Sequence, residues 1–177
     1  MGLEIERKFV VDGSDLPPGL DAYPVRVIEQ GYLNIRPAIR VRREDDHFYM
    51  TYKGSGIMSH EEYNLPLDRK SYEHLVSKAD GLIIRKKRYL LPLNEDAFSE
   101  DFLESTPAVR RMIKDGGIMI ELDVFEDEYE GRIVAEVEFP DEMTATCYRK
   151  ASWFGREVTG DQAYSNAFMT KGVQRDE

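Results

Sequence analysis

The chain is dominated by short stretches in which apolar and polar residues alternate. In "LEIERKFVV", residues 3–11, Glu4, Glu6 and Lys8 fall on one side of an extended chain and Leu3, Ile5, Phe9 and Val11 on the other, because strand side chains point to opposite faces in turn. β-type alternation or β-rich composition returns over residues 27–34, 38–44, 47–53 and 60–67 at hairpin spacing, and again over 82–93, 117–125 and 132–139. The period changes over 67–79, where Tyr72, Leu75, Val76 and Ala79 recur at helical spacing. Residues 94–116 read as one or two short helices between strands, and 141–150 and 161–171 as two helices around the aromatic turn "WFGREVTGD". Residues 13–24, rich in Gly, Pro and Asp, read as a loop. Eight β segments against three to five helical ones predict an α+β chain, predominantly antiparallel, whose sheet either splits into a sandwich or closes on itself.

The charges on these strands are not mixed at random. Arg40 and Arg42 share a face, as do Lys86 and Arg88, and Lys53 stands two residues after Thr51. Glu62 lies two before Asn64, Glu121 two before Asp123, and Glu136 two before Glu138. Most of these strands are apolar on the other face, for example Phe48, Met50 and Tyr52, or Ala135, Val137 and Phe139; Arg85 and Lys87 are the exception. Any one such strand is ordinary, since antiparallel sheets commonly turn a polar face to water. Together they segregate by sign, three strands supplying cations and three supplying carboxylates. If the sheet closes with these faces inward, six cations and seven carboxylates line one lumen. Buried charge needs a partner or a ligand. Arginine and lysine suit phosphate oxygens, and carboxylates tolerate such a guest only through an intervening hard cation such as Mg²⁺ or Mn²⁺. The expected ligand is a metal–polyphosphate complex.

Composition narrows the classes. At 177 residues and 20.5 kDa the chain is most simply one domain. A net charge of −10 opposes binding to nucleic acid or to an anionic membrane through the overall field. A single cysteine, Cys147, forms no intrachain disulfide, and no spanning-length apolar run is present, so a cytoplasmic protein is expected.

"EIERK" at residues 4–8 resembles the ExExK signature of the CYTH, or triphosphate tunnel metalloenzyme, superfamily. "QGYL" (30–33), "IRVRR" (39–43), "YKG" (52–54), "EYNLPL" (62–67), "KKRYLLP" (86–92), "IELDVFE" (120–126), "VAEVEF" (134–139) and "WFGREVTGDQAYSN" (153–166) extend the likeness in order along the chain. The resemblance implies a closed eight-stranded antiparallel barrel, a tunnel with a charged lumen and peripheral helices, spanning residues 1–177 as one domain. It implies a C-terminal plug at 151–172, and against that pattern residues 94–116 stand as a helical insertion. Carried over position by position, Arg40, Arg42, Lys53, Lys86 and Arg88 would hold phosphate, joined by Lys8 near the reacting centre. Glu4, Glu6, Asp123, Glu136 and Glu138 would hold Mg²⁺ or Mn²⁺. Tyr32, placed near Lys86, would tune the attacking water, and Glu62 or Glu138 would accept its proton. Asn64 and Glu121 complete the lumen.

The implied activity is metal-dependent hydrolysis of a small triphosphate, first inorganic tripolyphosphate. Thiamine or nucleoside triphosphate hydrolysis, a class IV adenylyl cyclase and a non-catalytic polyphosphate-binding module are the alternatives. The partner is a small molecule, with a homodimer as a candidate assembly. Asn64 departs from relatives that carry a second glutamate at that position, and 94–116 is longer than the expected hairpin. The remaining features read plainly. "KGSG" at 53–56 is a turn and not a P-loop, Trp153 and Phe154 are packing residues, and Arg7 pairs with an acidic residue on a covering helix.

Overall fold

The computed structural model describes residues 2–54 and 59–171, with the side chains of residues 2, 3, 59 and 60 excepted. The expected outward Leu3 side chain and Ser55 and Gly56 of the "KGSG" turn lie outside the described residues, as do residues 172–177. Strands β1 (Gly2–Val10), β2 (Val25–Ile35), β3 (Ala38–Glu44), β4 (His47–Lys53), β5 (Ser59–Leu67), β6 (Asp80–Leu91), β7 (Ile120–Phe125) and β8 (Ile133–Glu138) form one curled antiparallel sheet. In spatial order they run β1-β5-β4-β3-β2-β6-β7-β8. β1 is shared: Gly2 to Ile5 pair with β5, and Glu6 to Val10 pair with β8. The helices are few: α1 (Arg69–Val76), α2 (Glu100–Ser105), α3 (Pro107–Lys114), α4 (Glu142–Cys147) and the single turn α5 (Asn166–Met169). Among the described residues no helix is long and apolar enough to cross a membrane.

Local chemistry sets these boundaries. Asp68, Ser99 and Asp141 each precede a helix, and their side chains accept from Ser71 N, Phe102 N and Thr144 N, satisfying amides that the first turn leaves free. Pro107 opens α3, where its missing N–H costs nothing. The segment expected as one helix over 161–171 is instead a 3₁₀ turn (Gln162–Tyr164) followed by α5, because Asp161 and Ser165 each cap a new start.

The main core lies on the outside of the curled sheet. Ile5 and Phe9 of β1, Leu122 of β7 and Ala135 and Val137 of β8 are at most 2% exposed. They pack with Phe98, Val109, Phe139, Tyr148 and Phe154 from the segments that cover this face. Each large side chain so buried contributes about 1.5–3 kcal/mol. Trp153 and Phe154 therefore belong to the outer packing.

A second cluster was not anticipated. Ile84, Phe125 and Val134 stand on the same alternation as Lys86, Asp123 and Glu136, yet they are buried with Met169 and Tyr129. One level on the concave side of the sheet is thus apolar, covered by α5. One glycine allows this, and another lets α1 approach the sheet. Gly81 has φ +74, and a Cβ there would lie 2.2 Å from the Thr170 carbonyl, which accepts from Leu82 N. At Gly31, beside bulges in β2, a Cβ would lie 2.6 Å from Ala79 Cβ just beyond α1.

Candidate active site

Strand alternation gathers eleven of the thirteen charges expected inward; Lys86 and Asp123 are wholly buried behind the cavity and do not line it. The concave face encloses a cavity of about 190 Å³ lined by Glu4, Glu6, Lys8, Arg40, Arg42, Lys53, Glu62, Arg88, Glu121, Glu136 and Glu138. It continues into a wider opening of about 1000 Å³, and Glu6, Lys8, Arg40, Lys53 and Asn166 line both. Cross-strand neighbours explain the clustering: Glu6 stands opposite Glu138 and Lys8 opposite Glu136, while Arg88 stands opposite Asp123.

On the β6–β8 side the charges form a dense lattice. Asp123, wholly buried, accepts from Arg88 Nε at 2.6 Å and Arg88 Nη2 at 2.7 Å, and also from Lys86 Nζ. Arg88 further donates to Glu136 at 2.6 Å and to Glu121. Lys8 Nζ lies 2.8 Å from Glu136 and 3.7 Å from Glu6. Lys53 pairs with Glu4 and stands 3.6 Å from Glu6. Burial alone would push the Lys8 ammonium down, but Glu136 and Glu6 outweigh it and hold it above its usual range. Burial dominates at Lys86, with Arg88 adding to it, and pushes that ammonium down to about 8 against the pull of Asp123. Glu136 is held well below the carboxylate range, since Lys8, Arg88 and Lys86 overcome its burial.

On the β2–β5 side the arginines have gentler partners. Arg40 Nη2 is 3.7 Å from Glu62 Oε2, and Tyr32 stands directly across the β2–β3 pair from it; together they raise the guanidinium against its burial. Tyr32 thus sits beside Arg40, its partner across β3, whereas Lys86 lies opposite Ile28. Arg42 donates to Gln30 Oε1 at 2.9 Å and to the Tyr49 hydroxyl at 3.2 Å. Tyr49 donates to Glu44 at 2.8 Å, and Arg26 closes that end on Glu44 at 2.6 Å. Asn64 accepts from Thr51 at 2.6 Å and donates to Glu62 Oε1 at 2.9 Å.

Carboxylates crowd the remaining wall. Burial and the neighbouring Glu4, Glu121, Glu62 and Glu6 push the Glu138 carboxyl up to about 7. Burial and Glu6 likewise raise Glu4, against Lys53. Like charges that raise one another in this way favour a hard divalent cation between them, so the donor set fits a metal by its chemistry. Among the described residues no three acidic, His or Cys side chains converge closely enough to form a metal-binding group as they stand.

Sequence reasoning missed Arg26, Gln30, Glu44, Tyr49 and Asn166. The first four share strand alternation with Tyr32, Arg42 or Lys53, so the signal was present; attention to paired charges passed over a glutamine and a tyrosine. Asn166 follows a turn and carries no strand signal.

The CYTH domain model matches residues 2–158. An inorganic triphosphatase of Nitrosomonas europaea is 33% identical over 174 residues, covering 96% of this chain and 98% of that protein. One of Acetivibrio thermocellus is 34% identical, covering 99% and 98%. A crystal structure of an inorganic triphosphatase aligns over 98% of this chain and 97% of the other, with 28% identity and a TM-score of 0.61. By its motifs, its curled sheet with charges on the concave face and this full-length similarity, the chain belongs to the CYTH family.

Proposed function

We propose that this protein is a metal-dependent triphosphatase acting first on inorganic tripolyphosphate. The observation that carries the reading is the charged cavity, where arginines and lysines from five strands face carboxylates from five. Its relatives named inorganic triphosphatase match over nearly their whole length. We read the sheet as a closed tunnel, because β1 pairs with β5 through one half and β8 through the other. The cavity between its walls opens at one end toward Tyr32 and Lys53 and at the other toward Tyr49, which also lines an outer depression. The chain is taken as one domain, with 94–116 as its insertion and the stretch around α5 as its plug.

The chain's own groups then divide the work of phosphoryl transfer, in which positioning and charge stabilisation dominate. Arg40, Arg42 and Lys53 bind phosphate oxygens, and Arg88 and Lys8 stabilise charge on the transferred group and the leaving oxygen, while Lys86, wholly buried and outside the cavity lining, acts behind them on Asp123. Glu4, Glu6 and Glu138, with Glu136 beside them, hold Mg²⁺ or Mn²⁺, which when bound offsets the charge of phosphate oxygens and helps orient water. Asp123 already receives Arg88 and Lys86 on both oxygens and serves to aim them. Glu62 accepts the proton of the attacking water: its Oε2 is buried and makes no hydrogen bond among the described residues. Asn64 supports that role, because an amide can donate to Glu62 where a carboxylate would repel it.

A second reading, hydrolysis of an organic triphosphate, draws on the wider opening, where Tyr52 and Phe168 offer aromatic rims for a ring beside the phosphates. Phosphate release from tripolyphosphate, ATP and thiamine triphosphate, with Mg²⁺ and Mn²⁺ and with cyclic nucleotide measured in parallel, tests both. Preferred turnover of tripolyphosphate supports the first reading; tight binding without turnover of any substrate overturns catalysis.

A further inference from the structure

The cations of the cavity are held in two ways. Arg88 and Lys86 donate to carboxylates, so much of their charge is offset within the protein. Arg42 is fixed by two uncharged groups: Nε donates to the Gln30 amide oxygen and Nη1 to the Tyr49 hydroxyl. Among the described residues no ion pair engages it. A neutral acceptor orients a guanidinium without a direct ion pair, and Glu44, the acid whose field Arg42 shares, is already engaged by Tyr49 and Arg26, so Arg42 keeps its remaining donors for an anion.

Gln30 is unusual in its own right. It is wholly buried, and its Nε2 finds no hydrogen-bond partner among the described residues. Its cross-strand neighbours are Arg42 on β3 and Ile84 on β6, and Ile84 belongs to the apolar layer, so the β6 side chain supplies no acceptor. A buried, unpaired amide donor costs about 1–3 kcal/mol. Methionine, of similar size, would avoid that cost but could not orient Arg42. Glutamate would orient it but would neutralise it, as Asp123 does Arg88. Among side chains of this size, glutamine holds Arg42 while leaving its charge exposed to the cavity.

We propose that Gln30 is a positioning residue for substrate, acting through Arg42 to present a guanidinium free of any direct ion pair to a phosphate of the triphosphate. This rests on the reading of the cavity as a triphosphate site. The test measures tripolyphosphate Kd by calorimetry and KM and kcat by phosphate release in Gln30→Met, Gln30→Glu, Arg42→Ala and the Gln30→Met/Arg42→Ala double variant, each first checked for an intact melting transition. We expect both Gln30 variants to raise Kd and KM about tenfold, the weight of one charge-assisted contact, with kcat little changed. Gln30→Glu keeps a partner for Arg42, so its loss of affinity in a fully folded protein reports charge and not packing. The Gln30→Met effect should vanish in the Arg42→Ala background. Affinity unchanged in Gln30→Glu, or a Gln30→Met effect that persists undiminished without Arg42, overturns the proposal. If Arg42→Ala itself leaves Kd unchanged, the phosphate role of Arg42 fails and the proposal with it. Binding without any hydrolysis overturns the enzymatic reading alone, and the Kd comparison still decides the role of Gln30.

Discussion

Arg7 grips Glu157 with a two-pronged hydrogen bond, Nε to Oε1 at 2.8 Å and Nη2 to Oε2 at 2.7 Å, while its Nη1 donates to the carbonyls of Ala145 and Tyr148 at 3.1 and 2.9 Å. The one charge of the ExExK stretch that faces outward therefore ties β1 to the end of α4 and to the segment after Trp153. The acidic partner anticipated for Arg7 lies on an extended segment that bridges Phe9, and the helix contributes carbonyls instead.

Breaking this clasp should act on stability alone. Arg7→Ala leaves two helix-end carbonyls and a carboxylate without their donor, at a cost of about 2 kcal/mol. Urea unfolding should report it, with activity per folded molecule retained; lost activity in a fully folded variant would count against an outward Arg7. Hydrogen bonding from Arg7 lowers the Glu157 pKa below 4.5. A depressed carboxyl contributes stability that is present above its unfolded pKa and is lost as pH falls through the folded one. Glu157→Gln should therefore flatten the acid limb of the stability curve below about pH 4.5, a small effect given that its side chain is 40% exposed.

The two kinds of cation predict opposite phenotypes. Asp123→Ala leaves Lys86 and Arg88 without their shared buried partner and should destabilise the fold by about 3–5 kcal/mol. Arg40→Ala removes a group whose closest acid is 3.7 Å away, so it should raise KM while shifting the melting temperature little. Equal losses of stability in the two variants would contradict the division.

Glu138 offers a metal-free readout. Its carboxyl is pushed up to about 7 by burial and by Glu4, Glu121, Glu62 and Glu6, so between about pH 4.5 and 7 the native state holds more protons than the unfolded one. Stability of the metal-free protein should fall as pH rises through that window, and Glu138→Gln should reduce the fall. Mg²⁺ or Mn²⁺ should restore stability above pH 7 in the wild type and less in Glu138→Gln. Indifference of the melting temperature to either ion at millimolar concentration would rule against the carboxylate wall as a metal site.

Asn64→Asp replaces a donor to Glu62 with a second negative charge. The acid limb of the pH–rate profile should move upward, so that activity at pH 6 falls more than activity at pH 8. A profile displaced equally at all pH values would argue against Glu62 as the proton acceptor.

Period-two alternation in the sequence determined the eight strands and which residues share a face of each. These follow from backbone geometry one strand at a time, so Glu4, Glu6 and Lys8, Arg40 and Arg42, and Lys86 and Arg88 could each be assigned to one face of their own strand from spacing alone. Pairing partners are set by register between strands far apart in sequence, and alternation carries no information about them. Only the tertiary structure decided that Tyr32 meets Arg40, that Asp123 is consumed by Lys86 and Arg88, that Arg42 rests on Gln30 and Tyr49, and that Met169 covers an apolar level of the concave face. Each depends on where the sheet curls, and that curl arises from packing of the whole chain.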